Sequence, residues 1–221
     1  MPCFVGPDFG VVLDLVGGAH VVAPLLTNEL ARTRSPDDLP RVLARIHAVL
    51  IAHGRRGAGG YVAGLGIAQG RSFVAWAGDV RVVRLRGVVL TRLTRDHGLF
   101  EQYVDAGIVD DTPEARAAFP HPGVVVNALG MAEAKIDARD DAVELGDLFV
   151  VAHRLDDHDL LRRVMVLHRH DPAGCAVQVR ESFGRDHVVC ALVTADGCRW
   201  SRACGPSDDE AASESLAGAQ R

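Results

Sequence analysis

FGVVLDLVGGAH, residues 9–20, reads as a short apolar strand running into a glycine loop, with one carboxylate, Asp14, near its end. Two later segments share this build. DLFVVAHRL, residues 147–155, is an apolar run ending at His153 and Arg154, and GRDHVVCALV, residues 184–193, sets Asp186 just before another. Runs of Val, Leu and Phe bounded by Gly and Asp are the pattern of buried strands. Carboxylates at strand ends suit hard divalent cations. Arg154 instead supplies a cation where a third carboxylate would complete such a site, and a guanidinium has no lone pair to give a metal.

Outward from these runs, VVAPLLTNELARTR predicts a helix with Pro24 near its start, where proline is tolerated. Ser35-Pro36-Asp37-Asp38 predicts a second helix start, with Ser35 as the cap. Leu39, Val42, Leu43, Ile46, Val49 and Leu50 then form one apolar stripe, the mark of a buried helix face. From Gly60 the period changes. YVAGLGIA, SFVAWAG, VRVVRL and VVLTRLT are short β segments separated by turns, an antiparallel meander. HGLFEQYVDAGIV predicts a helix, Thr112-Pro113-Glu114 another helix start, and HPGVVVNALG a strand or extended pass. LFVVAH predicts a strand, LLRRVMVLH and DPAGCAVQVRESF two helices, and HVVCALVTA a final strand. This order fits one α+β domain of packed antiparallel sheets with helices on their outer faces, over residues 1–200. Residues 201–221, small and polar, are expected to be a disordered tail.

The chain has 221 residues, nearly half of them apolar, and a net charge of −5, which favours neither nucleic acid nor an acidic membrane as partner. Five cysteines, none in CxxC, cannot all pair within one chain. Cys190 lies in a strand and reads as a small buried hydrophobe, and a reduced, cytoplasmic protein is expected. No basic leader or long apolar span is read. GRRGAGGYVAGLG lacks the Lys-Ser/Thr ending of a phosphate-binding loop, and there is no GxSxG elbow. Arg81, Arg84 and Arg86 read as one solvated β face; His47, His97 and His121 read as surface or loop contacts. His153 to Asp159 mixes imidazoles and carboxylates, without a zinc-site spacing, and reads as a solvated acidic helix start.

Taken together, FGVVLDLVGGAH, WAGDVRVVRLRG (76–87), TRLTRDHG (91–98), HPGVVVNALG (121–130), VELGDLFVVAHRL (143–155) and GRDHVVCALV resemble, in order and interval, the metal-dependent serine/threonine phosphatases of the PP2C (PPM) type. The likeness covers roughly residues 9 to 195. It implies a β-sandwich flanked by helices, with a two-metal centre at one end that positions water and phosphate oxygens. Asp14 corresponds to the bridging aspartate of that centre, Leu15 to a neighbour that lends its backbone carbonyl, and Asp186 to the last ligand. Arg154 falls on a further ligand aspartate, with Asp156 and Asp157, or His153, as alternative ligands nearby. No basic residue precedes Asp14 to grip phosphate, so the amino-terminal edge of the sheet is expected to be incomplete. The expectation is a degenerate, noncatalytic member, a pseudophosphatase that needs no cofactor and binds a protein or phosphoprotein, with Arg154 pairing Asp14, Asp186 or both. The alternatives are a divergent Mn- or Mg-dependent phosphatase, or an incomplete chain.

Overall fold

The computed structural model describes residues 3–54 and 56–204. In chain order the strands are β1 (Cys3–Val5), β2 (Phe9–Val16), β3 (Gly59–Ala68), β4 (Arg71–Ala77), β5 (Val80–Arg86), β6 (Val89–Arg92), β7 (Asp137–Ala142), β8 (Leu148–His153), β9 (His187–Thr194) and β10 (Gly197–Cys204). The α-helices are α1 (Ala23–Ala31), α2 (Leu39–His53), α3 (Leu99–Asp105), α4 (Pro113–Ala118), α5 (His158–Leu167) and α6 (Pro172–Phe183). Two five-stranded antiparallel sheets result, ordered β1-β2-β3-β4-β7 and β10-β9-β8-β5-β6.

Each central strand is buried on both faces, which explains the unbroken apolar runs. In β2, Val11 and Leu13 pack under α1 and α2 with Leu26, Leu39, Leu43 and Ile46, while Val12 faces the other sheet. In β8, Leu148, Val150 and Ala152 meet Leu161, Met165 and Val179 of α5 and α6, while Phe149 and Val151 fill the space between the sheets. The order is helix, sheet, sheet, helix. This is the expected α+β sandwich. No helix among the described residues is long and apolar enough to cross a membrane.

Several local expectations differ from the outcome. Ser35 bonds the Asp37 carboxylate instead of capping amides, and a short 3-10 turn, Pro36–Asp38, leads into α2, whose first turn holds Pro40. HPGVVVNALG, by contrast, is the extended pass expected, joined by isolated bridges at Val125 and Leu129. β7, with sequence DARDDA, carries a charged pattern suited to an edge strand and has no apolar alternation to reveal it. HVVCALVTA is followed by one more strand, β10, which extends to Cys204; the rest of the expected tail, 205–221, lies outside the described residues. β1 occupies the sheet edge beside β2, where an incomplete edge was expected.

Candidate functional site

Residues from both sheets meet at one end of the sandwich. Asp14 lies in β2 opposite Tyr61, and His153 ends β8 opposite Val80. Asp79 occupies the turn that carries the chain from β4 in one sheet to β5 in the other. Val12 and Val151 face the space between the sheets, so Asp14 and His153, each two residues on, point the same way. The His153 ring lies between two carboxylates: Nδ1 is 3.1 Å from Asp14 Oδ2 and Nε2 is 2.9 Å from Asp79 Oδ1. The Nε2 contact with Asp79 is a hydrogen bond, while Nδ1 stands within ion-pair distance of Asp14. Arg154 Nε donates to the other Asp79 oxygen at 2.7 Å, and its Nη2 donates to the Gly123 carbonyl at 2.7 Å. Tyr61 stacks on the imidazole, ring centroids 5.9 Å apart.

The Asp79 side chain is 5 % exposed. Burial alone would raise its carboxyl, but the hydrogen bonds from His153 and Arg154 outweigh that and hold it below the ordinary 3.8. The same bond to Asp79 raises Arg154 above its already high value. Arg154 has φ 46°, a left-handed backbone that costs a residue with a side chain about 1–2 kcal/mol. Its carbonyl is held by Arg185 Nη2 at 2.7 Å. These bonds on both sides keep the turn in place.

The pairing expected from sequence is thus redistributed. Neighbouring residues at a strand end point to opposite sides, so His153 takes the place beside Asp14 while Arg154 reaches Asp79 from the flank. Asp186 stands exposed before β9 and forms no ion pair with a described residue. Leu15 continues β2 opposite Gly60, its side chain packed against the helix-side core. Asp156 pairs with Arg81 Nη1 at 2.7 Å. Asp157 caps α5, its Oδ1 accepting from Leu160 N at 2.8 Å.

This donor set does not fit a pair of hard divalent cations. An imidazole already spans Asp14 and Asp79, a guanidinium neutralises Asp79, and the nearby alternative carboxylates are engaged elsewhere. Among the described residues, only Cys3, His187 and Cys204 form a group of three potential ligands with atoms within 4.8 Å of one another.

Two features escaped the sequence reading. Asp79, the hub of the cluster, was not singled out from sequence; the unmatched cation at Arg154 was the signal that an anion had to face it. Arg81, expected on a solvated face, is buried with Asp96, which it holds through Nε at 3.2 Å and Nη2 at 2.8 Å, and its Nη1 donates to the Leu155 carbonyl at 2.8 Å. The period of a strand explains the error: Arg81 projects opposite to Arg84 and Arg86. Arg86 in turn grips buried Asp147 through two bonds. His97 and His47 make loop contacts as expected, accepting from Gly78 N and Gly130 N at 3.1 Å. Beside the cluster opens a groove of about 1120 Å³, lined by Arg92, Arg116 and Arg154 together with Asp79, Asp96 and Glu101.

The fold has solved counterparts. A serine/threonine phosphatase of Mycobacterium tuberculosis, PstP/Ppp, superposes with TM-score 0.69 at 21 % identity, over 92 % of this chain and 91 % of that one. The fold is that of the PP2C-type phosphatases. PppA of Pseudomonas aeruginosa, described as a key regulatory component of T6SS, gives 0.62 at 24 % identity, over 81 % of each chain. A PstP catalytic domain in complex with two manganese ions gives 0.60 at 19 % identity, over 81 % of this chain and 82 % of that one. No family model and no curated protein matches the sequence. The likeness lies in the PP2C-like architecture, while the end of the sandwich carries His153 and Arg154.

Proposed function

We propose that this protein is a noncatalytic PP2C-like pseudophosphatase that binds a protein or phosphoprotein partner. The observation that carries the reading is His153 lodged between Asp14 and Asp79, with Arg154 on the remaining Asp79 oxygen. Arg154 supplies a fixed positive charge and His153 a hydrogen-bonding ring at the place where the resemblance calls for metal, so buried Asp79 remains compensated without one. Recognition is assigned to the adjoining groove. There Arg154 Nη1 has no hydrogen-bond partner among the described residues, leaving a charged donor for a phosphate or carboxylate.

The test is a hydrolysis assay with a phosphopeptide and an aryl phosphate across Mn and Mg concentrations, with D14A and D186A beside the wild type. The proposal expects no metal-dependent turnover. Turnover that both substitutions abolish would establish the divergent phosphatase instead.

A further inference from the structure

At the edge where the two sheets close on each other, β1 and β10 bring together residues 201 positions apart in sequence. Cys3 is buried on β1, its side chain in the layer between the sheets with Val12 and Val189. Cys204 packs against the same layer, and in the antiparallel ladder of β9 and β10 it lies directly opposite His187. Opposed residues of an antiparallel pair project from the same face, so the imidazole and the Cys204 sulfur share one side of the sheet. The two sulfurs stand in bonding contact as a disulfide, and a ring nitrogen of His187 lies within 4.8 Å of both.

We propose that, once a dithiol reductant has reduced the Cys3–Cys204 disulfide to two thiols and itself become a disulfide, these thiols release their protons on metal binding and form with His187 a zinc-class metal site that staples the first and last described strands together. Two thiolates and one imidazole are a soft, mixed donor set of the kind zinc prefers over magnesium or calcium. With metal–sulfur bonds near 2.3 Å and a metal–nitrogen bond near 2.0 Å, tetrahedral ligands sit roughly 3.5–3.8 Å apart. Three donors already within 4.8 Å of one another meet that spacing through small side-chain rotations. The backbone spacing also favours this reading. The Cα atoms of Cys3 and Cys204 are 7.2 Å apart, whereas disulfides usually span about 4.4–6.8 Å, so the strands are set for something wider than a bare sulfur bridge. The other cysteines contribute nothing: Cys175 on α6 and Cys190 on β9 are buried together in the helix-side core, and the Cys198 thiol is pushed up to about 12 by burial and by Asp8. The site stands independently of the reading of Asp14 and Asp79, because it shares no residue with that cluster.

The experiment uses the full chain, reduced and stripped of metal, titrated with Co²⁺ and then with Zn²⁺. The expected result is one equivalent of Co²⁺ with thiolate-to-cobalt charge-transfer absorption, displaced by Zn²⁺. Cys3→Ser and Cys204→Ser should each weaken that absorption and lose stoichiometric binding. His187→Gln should keep both thiols yet bind more weakly with a shifted ligand-field spectrum; circular dichroism verifies that each variant is folded. Cys198→Ser and Asp14→Ala should leave the spectrum unchanged. Zinc should raise Tm in the wild type and not in Cys204→Ser. The proposal is overturned if the reduced wild type binds no stoichiometric Co²⁺ or Zn²⁺. It is equally overturned if the thiols cannot be reduced without unfolding, which would make the pair a purely structural disulfide.

Discussion

Replacing Arg154 by Ala tests the electrostatic reading of the cluster at its hinge. Breaking a fully buried ion pair by removing one partner costs about 3–5 kcal/mol. Here Asp79 is almost wholly buried, but Arg154 is 38 % exposed, and His153 still holds the second Asp79 oxygen. Roughly half the full penalty, about 2 kcal/mol, is therefore expected. At about 2–4 °C per kcal/mol for a chain of this size, Tm should fall by about 4–8 °C. The left-handed backbone at residue 154 does not contribute to the difference, since Ala meets it on the same terms as Arg. Arg154→Lys should recover only part of the loss, because it restores charge without the fork that spans Asp79 and Gly123. Urea unfolding of the three proteins at pH 7 gives the comparison. Its pH dependence gives the sign. The Asp79 carboxyl is held below its ordinary 3.8 in the folded chain, so its contribution is complete above that value and disappears as pH falls through the depressed folded value. The gap between wild type and Arg154→Ala should narrow below pH 3.8. A gap under about 0.5 kcal/mol at pH 7, the range of ordinary surface changes, would refute the argument.

Other substitutions probe the surrounding frame. Arg81→Met should cost about 3–5 kcal/mol because it leaves buried Asp96 with Arg92 alone, whereas Arg84→Met, which loses a single bond to the Ala142 carbonyl, should stay near 0.5 kcal/mol; equal losses in urea unfolding would restore the solvated-face reading. Asp157→Ala should remove the α5 cap at a cost of about 0.5–2 kcal/mol without affecting metal response, while a change in Mn²⁺ response would assign Asp157 to a site instead. Gly17→Ala should prevent soluble folding or lower Tm sharply: residue 17 has φ 62°, and an added Cβ would fall 1.8 Å from the Gly57 carbonyl oxygen. A Gly17→Ala protein with unchanged Tm would contradict the tight approach of this loop to Gly57.

The sandwich was legible because its central strands are buried on both faces and therefore read as continuous apolar runs, from FGVVL to HVVCALV. Two of the edge strands lack that signal. DARDDA in β7 and GCRWSRAC in β10 carry charge where solvent reaches them, so pattern alone missed both. At the site, sequence marked Asp14, His153 and Arg154 but assigned the wrong counter-ion, because the partner of a strand-end cation is set by which sheet crosses over it. Asp79 holds that position through the β4–β5 crossover, 75 residues from Arg154 in the chain. Cys3 and Cys204 lie still farther apart, and no local spacing could have joined them.

The central claim is that His153 and Arg154 replace divalent metal at the Asp14–Asp79 cluster. Calorimetric titration of the wild type and Asp14→Ala with Mn²⁺ tests it most directly. The account predicts weak, nonstoichiometric heats that are the same in both proteins. Tight, stoichiometric Mn²⁺ binding in the wild type, lost in Asp14→Ala, would contradict it.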